Sequence, residues 1–215
     1  MIRSAALAGV PLAVGHTERF NPAIVAARPL ITDPRFIEVH RLGDFSKRSL
    51  DIDVVFDLMI HDLDILVSIV KHSVESVEAV GVSVMSDRVD IANARVEFSN
   101  GCVANLTASR ITVGDRDKLV RKIRFFQPAA YLSIDYKERT VEYLQRVNDH
   151  NGDAAIRSVP VDVSVDEEPL RRELADFIDS VRHDHPPAVS GEDGLAALAL
   201  AERISGEIEA TARVG

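Results

Sequence analysis

A chain of 215 residues, 46% apolar and 27% charged, is long enough to bury a substantial core and has the composition of a folded protein in water. Its formal net charge of −9 argues against nucleic-acid binders and membrane-surface proteins, both of which carry basic patches. The single cysteine, Cys102, excludes an intrachain disulfide and suits a reducing compartment; it lies in an apolar strand-like run with no base beside it in sequence. Met1-Ile2-Arg3-Ser4 lacks the apolar stretch of a signal peptide. The most apolar run, 54–70, holds three Asp and a His, so no membrane span is expected and the location expected by default is cytoplasmic.

In chain order, residues 1–9 read as the end of a helix closed by Gly9. Val10–Gly15 reads as a short buried strand, and Asn21 is placed to cap a new helix with Pro22 in its first position. No strand comes before this helix–strand–helix piece to pair with it, so the sequence reads as opening within a domain. Phe36–Leu42 alternates as a strand and Gly43–Ser49 is polar loop. Runs of β-branched residues follow at Val74–Met85, Val89–Phe98, Cys102–Ile111, Lys118–Phe126, Ala130–Tyr136, Thr140–Gln145 and Ile156–Val163. Basic and apolar residues alternate through Lys118–Arg124, as on one face of a strand. Ser99-Asn100-Gly101 is a hairpin turn, and the other short connections also point to a largely antiparallel sheet.

Two helices close the chain. The first starts at Pro169, carries Leu170, Leu174, Phe177, Ile178 and Val181, and ends at His183-Asp184-His185-Pro186-Pro187. Those two histidines read as a solvated helix end, because a metal would need further ligands. Ser190 caps the second helix, with Asp193 in the capping-box position. Three long helices cannot cover both faces of so many strands. The face from Val74 to Gln145 is therefore expected to bury against a second copy through a two-fold interface, giving a homo-oligomer.

The run 54–70 carries the candidate chemistry. Asp57, His61, Asp64 and Ser68 recur at spacings of four, three and four, on one face of a helix. A carboxylate one turn before an imidazole suits proton transfer, since it can fix the tautomer or raise the basicity of the ring. The same spacing also describes a solvent-facing strip on an amphipathic helix. No second histidine follows four residues after His61, so no metal is expected there.

Four stretches, in this order, resemble the Gfo/Idh/MocA oxidoreductases: Val14–Pro22, Asp57–Asp64, Asn100–Arg110 and Pro187–Gly194. That family joins an N-terminal Rossmann domain, which binds NAD or NADP, to a C-terminal α/β domain whose open sheet carries the substrate site. By this resemblance residues 1–30 are the last helix, strand and helix of a Rossmann domain. Residues 31–215 are then the substrate-binding, catalytic and oligomerisation domain. The resemblance implies His61 as general acid/base on a sugar or nucleotide-sugar hydroxyl, with Asp57 as its partner. It implies His16 and Arg19 as cofactor contacts, and Arg19, Asn21 and Arg110 as substrate contacts. The family's glycine-rich turn, ribose-binding acid and Glu-Lys-Pro lysine are absent; they belong to a segment of about a hundred residues that would precede Met1. The chain is thus expected to bind NAD(P) weakly and to be inactive alone. The competing expectation is a non-catalytic sugar-binding or oligomerisation module that has lost its cofactor domain.

Overall fold

The computed structural model describes residues 1–45, 51–112, 119–148, 152–163 and 167–212. Strands β1 (Phe36–Asp44), β2 (Val74–Val82), β3 (Ile91–Phe98), β4 (Val103–Thr112), β5 (Val120–Gln127), β6 (Ala130–Asp135), β7 (Thr140–Asn148) and β8 (Ala154–Ser158) form one open sheet. Their order is β2-β3-β4-β1-β5-β6-β7-β8. Every neighbouring pair is antiparallel except β1 with β4. Although β1 comes first in the chain, it slots between β4 and β5, so it runs alongside one and against the other.

Alternation decides the two faces. Ile37 and Val39 of β1, Ala94 and Val96 of β3, Leu106 of β4, Ile123 and Phe125 of β5, and Leu132 and Ile134 of β6 are buried on one face. Helices α2 (Pro22–Ala27), α3 (Ile60–Val70) and α5 (Gly191–Ala212) cover that side, with α5 on β2 and α3, and α2 on β6 and β7. The contact of α5 with β2 depends on Gly81, where a Cβ would stand 2.7 Å from Val89 and 2.8 Å from Ile208. The opposite face carries cross-strand polar pairs such as Asn93 with Thr107 (2.9 Å) and Arg124 with Glu38 (2.8 Å).

The local signals act as expected at both ends of the sheet. Gly101 takes φ 79 in the β3–β4 turn and donates to the Phe98 carbonyl at 2.8 Å. Asn21 accepts from the Ala23 amide at the start of α2. Ser190 and Asp193 form a reciprocal box: the Ser190 amide donates to Asp193 (2.9 Å) and the Asp193 amide to Ser190 Oγ (3.2 Å). Helices α1 (Ile2–Ala8), closed by Gly9 at φ 63, and α4 (Pro169–His183) lie where the sequence placed them.

Three local expectations need correction. Val10–Gly15 is not a buried strand: Val10 is 55% exposed, and Ala13 makes one isolated bridge to Ser190. No strand among the described residues lies beside it, so its backbone turns to the loop before α5, with the Val14 amide donating to Val189 O at 3.1 Å. The polar loop starts later than expected, since β1 runs on through Gly43 and Asp44. Residues 46–49 of that loop, like Lys118, lie outside the described residues. The run 54–70 is not one regular helix. Val55–Met59 is a π-turn in which the Ile60 amide reaches back to the Val55 carbonyl, and α3 proper begins after it.

Candidate active site around His61

Helix α3 is buried on nearly all sides, and two of its buried residues, Asp62 and Asp64, are acids. Each is matched by an arginine. Arg19, on the 3-10 turn Thr17–Phe20, donates to both oxygens of Asp64 at 2.6 and 2.8 Å and reaches Asp193 at 3.3 Å. Arg41, the third inward residue of β1 after Ile37 and Val39, donates to Asp62 at 2.5 and 3.0 Å and to Glu18 at 3.5 Å. Its guanidinium lies 5.6 Å from the ring centre of Tyr136. Buried charge is tolerable here because each acid has a two-pronged guanidinium partner.

Between these ion pairs stand two imidazoles. The rings of His16 and His61 meet edge to face at 5.8 Å, and His16 Nε2 is 4.0 Å from Asp64. Burial pushes the pKa of His61 down, helped by Arg41 and His16 and opposed by Asp62 and Glu18. His16 is also lowered, by burial first, with Asp64 opposing and Arg19 assisting. Both rings are therefore held neutral near pH 7 and can accept a proton. The Nδ1 atoms of His16 and His61 and the Tyr136 hydroxyl are buried without a hydrogen-bond partner among the described residues. Burial, and then Asp62, push the Tyr136 phenol well above its ordinary value, so it stays protonated.

His61 opens onto a cavity of about 460 Å³. Thr17, Glu18, Asn21, Arg41, Leu58 and Tyr136 line it with His61, and Arg121, Lys137, Arg139 and Glu168–Leu170 complete its wall. Residues 26–125, from α2 to β5, match the family model described as GFO/IDH/MocA C-terminal domain. The chain carries a GFO/IDH/MocA C-terminal domain.

Relatives bear on this Gfo/Idh/MocA domain through sequence and shape together. UDP-N-acetylglucosamine 3-dehydrogenase of Acidithiobacillus ferrooxidans is 36% identical over 201 residues, covering 93% of this chain and 63% of the enzyme. A solved structure of that enzyme superposes with a TM-score of 0.85 at 34% identity, over 97% of this chain and 65% of the other. Myo-inositol 2-dehydrogenase of Thermotoga maritima is 32% identical, covering 68% of this chain and 44% of the enzyme. A levoglucosan dehydrogenase solved with NADH shares the fold at 16% identity, with a TM-score of 0.78 over 94% of this chain and 64% of the other. The chain spans less than two thirds of the length of each of these proteins.

The other site residues expected from the sequence are distributed unevenly. Asp57 shares the polypeptide stretch with His61, but no hydrogen bond between them is found. Its carboxylate lies 3.9 Å from Arg110 instead. The π-turn changes the helical ladder inside the motif, so a spacing of four does not fix which side chain faces His61. Arg110 does not line the cavity. It is buried and donates to Asp90 (2.9 Å), the Ile52 carbonyl (2.9 Å) and Ser86 (3.3 Å). Arg19 is committed to Asp64 and Asp193. Asn21 lines the cavity, but its side chain is occupied by Ala23, Glu18 and the Tyr136 carbonyl. Cys102 is buried, and burial pushes its thiol up to about 11, which removes it as a nucleophile. His183 and His185 are exposed and share Asp179 at 2.8 and 2.9 Å, a partner the sequence reading did not see.

Glu18, Arg41 and Tyr136 were missed, and Asp62 was read only as part of the Asp57–Asp64 stretch. A signal for one of them exists: an arginine in the inward register of Ile37 and Val39 demands a buried acid.

The resemblance also implies a dinucleotide. These residues do not build its phosphate cradle. No Gly-x-Gly-x-x-Gly occurs, and Gly9 closes a helix rather than opening one. Gly15 leads only into the four-residue turn 17–20, and a Cβ there would already meet Glu173 at 3.4 Å. No helix among the described residues is long and apolar enough to cross a membrane.

Proposed function

We propose that this chain is the substrate-binding and acid–base part of an oxidoreductase acting on a hydroxyl of a sugar or nucleotide sugar. The observation that carries the reading is His61, its pKa lowered by burial so that the ring is neutral, at the wall of a cavity large enough for such a substrate. When an alcohol becomes a carbonyl, the hydroxyl proton passes to a base while the carbon loses hydride. His61 is the proton acceptor in this reading, and a nicotinamide cofactor is the hydride acceptor. Tyr136 and Arg41 orient the substrate oxygens, and the Arg19–Asp64 and Arg41–Asp62 pairs hold the loop and helix that carry the histidines. Asp57 acts, in this reading, only through Arg110 and the π-turn.

In the same proposal residues 1–30 belong with a dinucleotide-binding domain and 31–215 form the substrate domain. The uncovered sheet face, with Val80 and Val82 about half exposed, would pair with a second copy. The chain as it stands is expected to bind NAD(H) or NADP(H) no more tightly than about millimolar, since the phosphate cradle is missing.

The test is nuclear magnetic resonance of the imidazole nitrogens of the full chain. Adding a nucleotide sugar should shift the His61 resonances and its titration midpoint, and His61→Gln should abolish that response without unfolding the protein. If saturating ligand leaves the His61 signals where they were, the assignment fails.

A further inference from the structure

We infer that Arg121 and Arg139 form an anion subsite on the His61 cavity and that the ligand they select is a diphosphate ester of a sugar. This deepens the preceding reading and rests on it for the position of the sugar. Arg19, Arg35, Arg41, Arg95, Arg110 and Arg124 each have an acid within 4 Å. Arg121 and Arg139 are exposed, line the cavity, and have no ion pair among the described residues. In a chain of net charge −9 they bring two positive charges to the wall of one cavity.

Their placement is also unfavourable without a ligand. Arg121 lies directly opposite Arg41 in the β1–β5 register, and like charges in that relation repel. Arg41 has Asp62 and Glu18, whereas Arg121 has neither. Arg139 sits in the β6–β7 turn at φ 53, a left-handed conformation that L-residues adopt at a cost. Asp135 stiffens that turn by accepting from the Lys137 and Glu138 amides, both at 3.0 Å. Lys137, already 3.7 Å from Glu138, adds to the potential, and Glu18 and Glu168 are the acids in the same lining that oppose it.

Two guanidinium forks facing one cavity suit an acceptor with several oxygens and at least two charges. A diphosphate meets both requirements, and a neutral sugar meets neither. Tyr136 and His61 line the same cavity, where the attached sugar would lie.

Calorimetric titration of the full chain tests this with four probes: a nucleoside diphosphate sugar, the free sugar, inorganic pyrophosphate, and NAD(H). The nucleoside diphosphate sugar should bind at least about tenfold more tightly than the free sugar, with affinity falling as salt rises. Pyrophosphate should compete with it. Arg121→Ala with Arg139→Ala should lose that advantage, and the corresponding Lys pair should recover part of it. An unchanged urea midpoint shows that the variants fold.

Equal binding of the nucleoside diphosphate sugar by the wild type and the Ala pair overturns the inference. So does a free sugar that binds as tightly as its diphosphate ester. An arginine-dependent preference for NAD(H) would also overturn it, because the diphosphate would then be the cofactor's. His61→Gln separates the two readings. If it keeps arginine-dependent binding but the wild-type imidazole never responds to ligand, the acid–base reading fails and this one stands. If a neutral sugar perturbs His61 and the arginine variants change nothing, the reverse holds.

Discussion

Two polar clusters sit at the edges of the same core and differ in how their hydrogen bonds close. Around Asp90 the closure is complete. Its carboxylate accepts from the amides of Val84, Met85 and Ser86, from Ser86 Oγ and from Arg110, at 2.6 to 2.9 Å. Burial alone would raise its pKa, yet these donors hold the carboxyl well below the usual carboxylate range. Around His61 the closure is incomplete: two imidazole nitrogens and a phenol hydroxyl are buried with no partner among the described residues. An unmet buried polar atom costs free energy in the resting fold. The first cluster closes on itself and the second does not, so burial of charge by itself did not distinguish them.

The largest expected effect falls on the Asp90 cluster. Arg110→Ala leaves Asp90 buried and short of its cation, and should cost about 3–5 kcal/mol in urea unfolding of the full chain. Nucleotide-sugar affinity should barely change. If stability holds and binding is lost, Arg110 is the ligand contact that the resemblance implied.

Next comes pH. The lowered pKa values of His16 and His61 mean that the unfolded chain binds protons more readily than the native one. Their contribution is fully present above the unfolded value, about 6.5, and is lost as pH falls through the folded values. Stability should therefore drop on acidification below about pH 6.5. His61→Gln should flatten that slope, and an unchanged slope would show that the ring is not held neutral.

A smaller effect, with a telling sign, is expected at Tyr136. Tyr136→Phe removes an unpartnered hydroxyl, so stability should stay level or rise by about 1 kcal/mol, while affinity for a hydroxyl-bearing ligand falls. A clear loss of stability would reveal a partner for that hydroxyl. Smallest of all, Asp57→Asn should leave the His61 titration midpoint in place, because the two side chains do not hydrogen-bond. A midpoint that moves would restore the acid–imidazole couple.

Much of the architecture was legible because strand signals are local. The alternation in Val89–Phe98 and Cys102–Ile111, and Asn100-Gly101 between them, predict a hairpin that the structure contains. The capping box at Ser190 and the cap at Asn21 were readable for the same reason. The site was only half legible. His61 was identified and lines the cavity, but its neighbours come from the 3-10 turn, β1 and the end of β6, far from it in sequence. Val10–Gly15 shows the opposite failure: an apolar run looks like a strand whether or not another strand is there to pair with it.

By itself the sequence determined the strands of the sheet, the caps, and a family resemblance that the comparisons bear out. Those rest on periodicity and on short-range hydrogen bonds, which need only a few neighbouring residues. Tertiary structure alone decided that β1 enters the sheet beside β4, that Asp62 and Asp64 take arginines from different elements, and that Asp57 turns to Arg110. It also brought Arg121 to the same cavity as His61, with no acid of its own among the described residues. Ion pairing over tens of residues depends on which side chains reach each other after packing, and the helical ladder itself shifted phase at Val55–Met59. No spacing rule carries that information.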